Sequence, residues 1–445
     1  MNLLTPDNLR EILNGLVNDL STNRTNYIKK PHDHSRKRKL SFGDIINIIL
    51  QMSGGSINHE LLNFFNCAEN TPTSASFVQQ RSKILPEAFE SLFHSFIELT
   101  NQGITYKGFR LFAVDGSDLH IPTNKDDPDS YFPRINDQRP YNLLHLNALF
   151  DICQGTYIDS VVQKSRVSNE NQALIEMIDR HQTSDPVIVI ADRGYESYNA
   201  LAHIQEKGWK FLFRIKDASS KGGIAEGLDL PAENEFDFFI DLHLTAGRTK
   251  EHWQLYKNKN SYKRISHPEK FDYFVAPDGT RDIYKLYHLP FRIIKIQLED
   301  NVFETIITNL PASSFSTDDI KQLYSMRWGI ETSFRHLKYT LGLLNFHARK
   351  TDLVFQEIYA HLIMYNFVSL VVLGQKVEKQ QRKHEYKSSF SVAIHACREF
   401  IRNKISQDML INLILKYLTP IRPGRKAIRR KKKDRSVMSF NYRLS

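Results

Sequence analysis

The run PVIVIADRGY, residues 186–195, constrains the fold more than any other stretch of the chain. Val187, Ile188, Val189 and Ile190 form an unbroken β-branched run between a proline and an Asp-Arg-Gly turn, which reads as a buried strand. A loop and a helical pattern, YNALAHIQEKG, follow, and WKFLFRIK then reads as another strand. Upstream, FRLFAVDGSDLHIP is an apolar alternation ending in an acid. YNLLHLNALFDICQGTYIDSVVQKS reads as two strands joined at a Gln-Gly turn, and NENQALIEMIDRHQ as a helix. The order β-β-β-α-β-α-β predicts a mixed α/β core. Ligands of open α/β sheets gather at the carboxyl ends of strands. Asp115 is expected to close the first strand and Asp192 the fourth, side by side at one edge.

The flanks differ from this centre. Residues 1–104 read as short helices, among them FGDIINIILQMSG, LLNFFN and the pair around Pro86. From about 217 the alternation with helices is lost, and EFDFFIDLHLT, DIYKLYH and FRIIKIQLED read as strands between turn-rich connections. ETIITNL follows, then SSFSTDD as a helix start. IYAHLIMYNFVSLVVLG, residues 358–374, is apolar but carries His361 and Asn366 and is short for a membrane span, so a buried helix is expected.

Charge narrows the class of partner. The net charge of +10 is concentrated in two runs. Residues 24–39 hold seven Lys/Arg against one Asp, and residues 421–435 hold nine against one Asp. Such runs suit a polyanion. Cys67, Cys153 and Cys397 are far apart and show no metal-ligand spacing, which argues against a disulfide framework or a zinc site. The N-terminus lacks a signal pattern, so a reducing, cytoplasmic setting is expected.

The segment YSMRWGIETSFRHLKY, residues 324–339, adds the third candidate acid. On a helix advancing about 100° per residue, Tyr324, Arg327, Glu331 and Lys338 share one narrow stripe. Leu323, Met326, Ile330, Phe334, Leu337 and Leu341 form an apolar stripe beside it. Asp115, Asp192 and Glu331 then converge, an arrangement that suits metal-assisted phosphoryl transfer. Asp118 is the rival to Asp115, and Asp151 and Glu196 also lie near the motifs. His120 and His145 are read as structural.

The spacing Tyr324-x2-Arg327-x3-Glu331-x6-Lys338 resembles the YREK signature of the DDE transposases of bacterial insertion sequences, of the type-4 insertion-sequence family. AVDGS around Asp115 and IADRGY around Asp192 are similar to that family's first and second acid motifs, and TNL at 308–310 and RPGR at 422–425 are compatible with it. The resemblance implies a ribonuclease H-like α/β catalytic core interrupted by a mostly β insertion, with helical N- and C-terminal regions. The expected organisation is a helical DNA-binding region at 1–104, the core at 105–216, the insertion at 217–303, the rest of the core at 304–375, and a helical region with a basic tail at 376–445. It also implies DNA cleavage and strand transfer at terminal inverted repeats, with Mg²⁺ (Mn²⁺ as a substitute) on Asp115, Asp192 and Glu331. Tyr324, Arg327, Lys338 and Arg193 would contact DNA phosphates. The partners would be double-stranded DNA, both element ends and target, and a second protomer in the synaptic complex; no membrane partner is expected, and the protein would act at the bacterial nucleoid. Trp253 and Phe303 are candidates for stacking a displaced base. Two rival readings are a metal-dependent nuclease of the same core without strand transfer and a catalytically silent DNA-binding derivative.

Overall fold

The computed structural model describes residues 3–36, 38–134, 139–217, 220–299, 302–375 and 385–421. The basic run beyond Ile421, with RPGR, lies outside them.

Five helices come first: α1 (Pro6–Thr22), α2 (Phe42–Gln51), α3 (Ile57–Phe64), α4 (Ser74–Arg81) and α5 (Glu87–Thr100). Thr5, Ser41, Ser56 and Thr73 start four of them by accepting a backbone N–H of the first turn. Strands β1 (Arg110–Ile121), β2 (Tyr131–Phe132), β3 (Tyr141–Asp151) and β4 (Thr156–Lys164) precede α6 (Glu170–Arg180). Then come β5 (Val187–Ala191), α7 (Tyr198–Glu206) and β6 (Lys210–Ile215). Strands β7 (Phe236–Thr245), β8 (Tyr262–Arg264), β9 (Tyr287–Glu299) and β10 (Val302–Thr308) follow. The C-terminal part holds α8 (Thr317–Met326), α9 (Trp328–Arg335), α10 (Thr351–Leu373), β11 (Tyr386–Ser388), α11 (Phe390–Ile401), α12 (Gln407–Lys416) and β12 (Leu418–Pro420).

One sheet organises the molecule, in the order β2-β3-β1-β5-β6-β10-β9-β7-β8, with β4 on β3. The first and fourth long strands, expected side by side, pair in parallel as β1 with β5, and β6 continues in parallel. The strands of the 217–303 segment extend this same sheet, because β9 pairs with β10 and β10 with β6. Strand β10 straddles the expected boundary at 303/304. DIYKLYH is not a strand of its own: only Tyr287 and His288 belong to β9. Residues alternate across the sheet. Phe112, Val114, Val189 and Phe213 bury with α6 and α7 on one face. Leu111, Ile188, Ile190 and Leu212 meet α8 through Leu323 and Tyr324 on the other.

Helix α10 is long and apolar enough to cross a membrane, but 83% of its apolar window is buried inside the protein. It packs on α2, α5 and α11, so the N-terminal helices share one core with β1, β3 and α9. A buried ion pair joins the two: Arg81 and Glu357 are each 1% exposed and 2.8 Å apart. Arg81 also donates to Gln356 Oε1 (2.9 Å) and the Leu353 carbonyl (2.6 Å). Glu357 accepts the backbone N–H groups of His347 and Ala348. Burial opposes the Glu357 charge, but Arg81 and His347 outweigh it and hold the carboxyl well below its ordinary range. Removing one partner strands the other charge, so Glu357→Gln should cost about 3–5 kcal/mol at pH 7. A depressed carboxylate contributes stability above its unfolded value of 4.5 and loses it as pH falls through the folded value. Urea unfolding at several pH values should show the gap between wild type and variant narrowing as pH falls below 4.5.

Candidate active site

Register places the first two acids. The last parallel pair of β1 and β5 is Ala113 with Ile190. Asp115 and Asp192 each lie two residues beyond it, at one level and on one face. Asp115 does not close its strand, as the sequence suggested. Strand β1 runs on to Ile121 because β3 stays paired with it throughout, while β5 stops at Ala191. Each carboxylate accepts the next backbone N–H: Gly116 N to Asp115 Oδ1 at 2.9 Å and Arg193 N to Asp192 Oδ1 at 2.7 Å.

The expected single helix over 324–339 is built as two, with Arg327 between α8 and α9 in a right-handed conformation. Short-range bonds tighten the junction, Arg327 N to Tyr324 O and Ile330 N to Arg327 O, both 3.1 Å. A π turn, His336–Thr340, follows α9. The apolar stripe is buried as expected, Met326 only partly. The polar stripe divides. Glu331 and Lys338 are partly exposed, but Tyr324 and Arg327 are buried, Arg327 at 3% exposure. Arg327 therefore does not face outward. Its Nη2 donates to Glu331 Oε1 at 2.9 Å, and its guanidinium lies 5.5 Å from the Tyr324 ring centre and 5.2 Å from that of Trp328.

The acids sense one another. Burial pushes the Asp115 carboxyl up to about 6, and Glu331 and Asp192 add to the rise against the Gly116 N–H and Arg327. The Tyr324 hydroxyl lies 3.5 Å from Asp192 Oδ1 and is pushed by burial to about 12. Lys338 donates to the Asp118 carbonyl at 2.7 Å, and burial lowers its pKa. Arg193 is exposed beside Asp192. Asp118 is engaged with His145, its Oδ1 2.7 Å from Nδ1. Asp151 is buried against Arg110, and Glu196 caps the backbone N–H groups of Lys216 and Ile224. His120 packs beside Tyr141. Trp253 is 57% exposed, whereas Phe303 is half-buried under Lys295.

Two residues escaped the sequence reading. Arg214 Nη1 lies 3.7 Å from Asp192 Oδ1 and 3.1 Å from Glu304 Oε1, so Glu304 brings a fourth carboxylate close to the site. Glu304 is the lone charge of the apolar strand that ends ETIIT, whereas Arg214 stands between Lys210 and Lys216 in WKFLFRIK and carried no comparable signal. An all-carboxylate donor set suits a hard divalent cation, which would also relieve the repulsion felt at Asp115. Among the described residues no three His, Cys, Asp or Glu side chains stand in ligand geometry. A second feature is a cleft of about 1130 Å³ between α1, α2 and α4, lined by Arg24, Lys29, Lys30, Arg36, Arg38 and Lys83.

The family model of the transposase DDE domain matches residues 106–367. The chain belongs to this family. It is 21% identical over 306 residues to the transposase InsG for insertion sequence element IS4 of Escherichia coli (strain K12), covering 66% of this chain and 60% of that relative's length. A solved structure, the piggyBac transposase synaptic complex with hairpin DNA, aligns over 97% of this chain and 89% of that one, with a TM-score of 0.47 and 11% identity. The match to the DDE domain spans Asp115, Asp192, Glu331 and all of β7 to β10.

Arg327 carries a specific expectation. Cutting it to alanine leaves Glu331 without its charged donor, so the protein without added metal should lose roughly 1.5–3 kcal/mol. An arginine on an uninvolved surface would change stability by no more than about 0.5 kcal/mol. Urea midpoints of wild type and Arg327→Ala decide between the two.

Proposed function

We propose that this chain is a DNA transposase with a ribonuclease H-like core, which binds the terminal inverted repeats of an insertion sequence, cleaves the DNA strand and transfers the new 3′ end to target DNA. The observation that carries the reading is the matched placement of Asp115 and Asp192, two residues past the last β1–β5 pair, with Glu331 over the same face. Membership of the DDE family supports it.

In this reading Asp115, Asp192 and Glu331 hold a divalent cation, Mg²⁺ or Mn²⁺. The bound ion would activate the attacking oxygen and stabilise the leaving one. The protein's own groups do the rest. Backbone N–H groups of Gly116 and Arg193 aim the two aspartates. Arg327 positions Glu331 from beneath, in place of the direct phosphate contact that the signature suggested. Lys338 and Arg193 present two cations around the acids for DNA phosphates, while the buried Tyr324 turns its hydroxyl to Asp192. The cleft lined by Arg24, Lys29, Lys30, Arg36, Arg38 and Lys83 gives the N-terminal region a second backbone-binding surface. Two element ends must be joined, so at least two protomers act together. The bacterial relative fits action in the cytoplasm, at the nucleoid.

The test is cleavage of a duplex carrying the element end in Mg²⁺. Asp115→Asn, Asp192→Asn and Glu331→Gln should each lower the rate by orders of magnitude while end binding persists. An Asp115→Asn protein that cuts at the wild-type rate would remove that residue from the site.

A further inference from the structure

The imidazole of His145, on β3, sits between two acids from different elements. Its Nδ1 is 2.7 Å from Asp118 Oδ1 on β1, and its Nε2 is 2.9 Å from Glu170 Oε1 in the first turn of α6. Burial opposes a charge on the ring, yet the two carboxylates outweigh it and push its pKa up to about 9. The bridge lies directly against both acid motifs. A Cβ on Gly116, next to Asp115, would stand 2.4 Å from His145 Nε2 and 2.9 Å from Glu170 Oε1. A Cβ on Gly194, two residues past Asp192, would stand 3.4 Å from Glu170 Oε2. Lys338 docks on the carbonyl of the same Asp118.

We propose that His145 is a positioning residue: bridging Asp118 on β1 and Glu170 on α6, it fixes the segment after Asp115 to the helix turn against which Gly194 packs, and so sets the separation of the two aspartates. The tie is needed where it is because β1 and β5 are no longer paired at this level. Ladder bonds hold the two strands together up to Ala113 and Ile190; beyond them the Asp118–His145–Glu170 bridge joins β1 and β3 to the first turn of α6, which packs against the segment after Asp192. The motif glycines leave it room. The consequence for metal binding rests on the proposed function; the mechanical tie does not.

The experiment uses the full chain. Amide hydrogen exchange in the absence of metal is compared for wild type, His145→Gln and Glu170→Gln, with unfolding midpoints as the control for global stability. Both variants should speed exchange in two separate segments, 116–118 and 193–195, more than in the rest of the sheet. Titration with Mn²⁺, read by calorimetry, should show affinity lower by about 10- to 100-fold in both variants, as expected when a group orienting metal ligands is lost. DNA-end affinity should be unchanged. The second variant breaks the bridge from its other end and decides the matter where the first does not fold. Faster exchange in only one segment, or wild-type exchange in both, overturns the tie. Faster exchange in both segments with no Mn²⁺ binding by wild type upholds the tie and refutes the metal-dependent reading of the site.

Discussion

The fork between β1 and β5 is the constraint on which the candidate site depends. Up to Ala113 and Ile190 the strands are locked in parallel register. Past that pair β5 ends while β1 remains on β3, so at the next level β1 and β5 no longer pair with each other. Carboxylates are costly inside a sheet and acceptable at its open end, where the following backbone N–H can satisfy them. Asp115 and Asp192 occupy that level and receive those N–H groups. Their residual repulsion remains visible in the raised Asp115. The fold thus gathers negative charge at one place and leaves it only partly neutralised.

The helical layer over this fork shows why a polar stripe need not be a surface. Tyr324 and Arg327 belong by angle to the row that includes Glu331 and Lys338, yet they are buried. Tightening of the ladder around Arg327 seats its guanidinium against two aromatic rings and under Glu331. A buried arginine is tolerated only with a partner, and the nearest carboxylate is the one expected to act. The π turn at His336–Thr340 then widens the last turn and brings Lys338 to the Asp118 carbonyl. Turns of this kind are rare and frequently occur at functional sites.

Much of this was legible in the sequence. The β-branched run before Asp192 and the Gln-Gly turn pointed to the strands of the centre, and helical spacing between breaks pointed to the N-terminal helices. The acid-bearing motifs and the four-residue spacing pointed to one site, and the structure brings the three acids within electrostatic range. What the sequence could not convey depends on pairing across the chain. Whether β1 stops at Asp115 is decided by β3, not by its own residues. Whether the segment after 217 stands apart or joins the main sheet is decided by β10 reaching β6. Helical angles fix which residues share a side but not how deep that side lies, so Arg327 was expected outside. Nothing in their own strands marks Arg214 and Glu304 as partners, and only the sheet order places them beside Asp192.

The charges around the site follow a pattern that strand order explains. Asp192 and Glu304 come from β5's end and β10, with Arg214 of β6 between them in the sheet and between them in charge. Glu331 is held by Arg327 on its own helical layer, and Lys338 approaches from the side of Asp118. Each base contacts or faces an acid-bearing segment, so the site is already organised in the absence of a cation. Pre-set charges of this kind need little reorganisation when a charged ligand arrives, which is where electrostatic catalysis gains most. Asp115 still feels an excess of negative charge from Glu331 and Asp192 at the fork, and a divalent cation is the natural complement to it. The phosphate backbone, repelled by that excess, would have to be drawn in by groups placed around its rim and farther out, where Arg193, Lys338 and the basic cleft of the N-terminal helices lie.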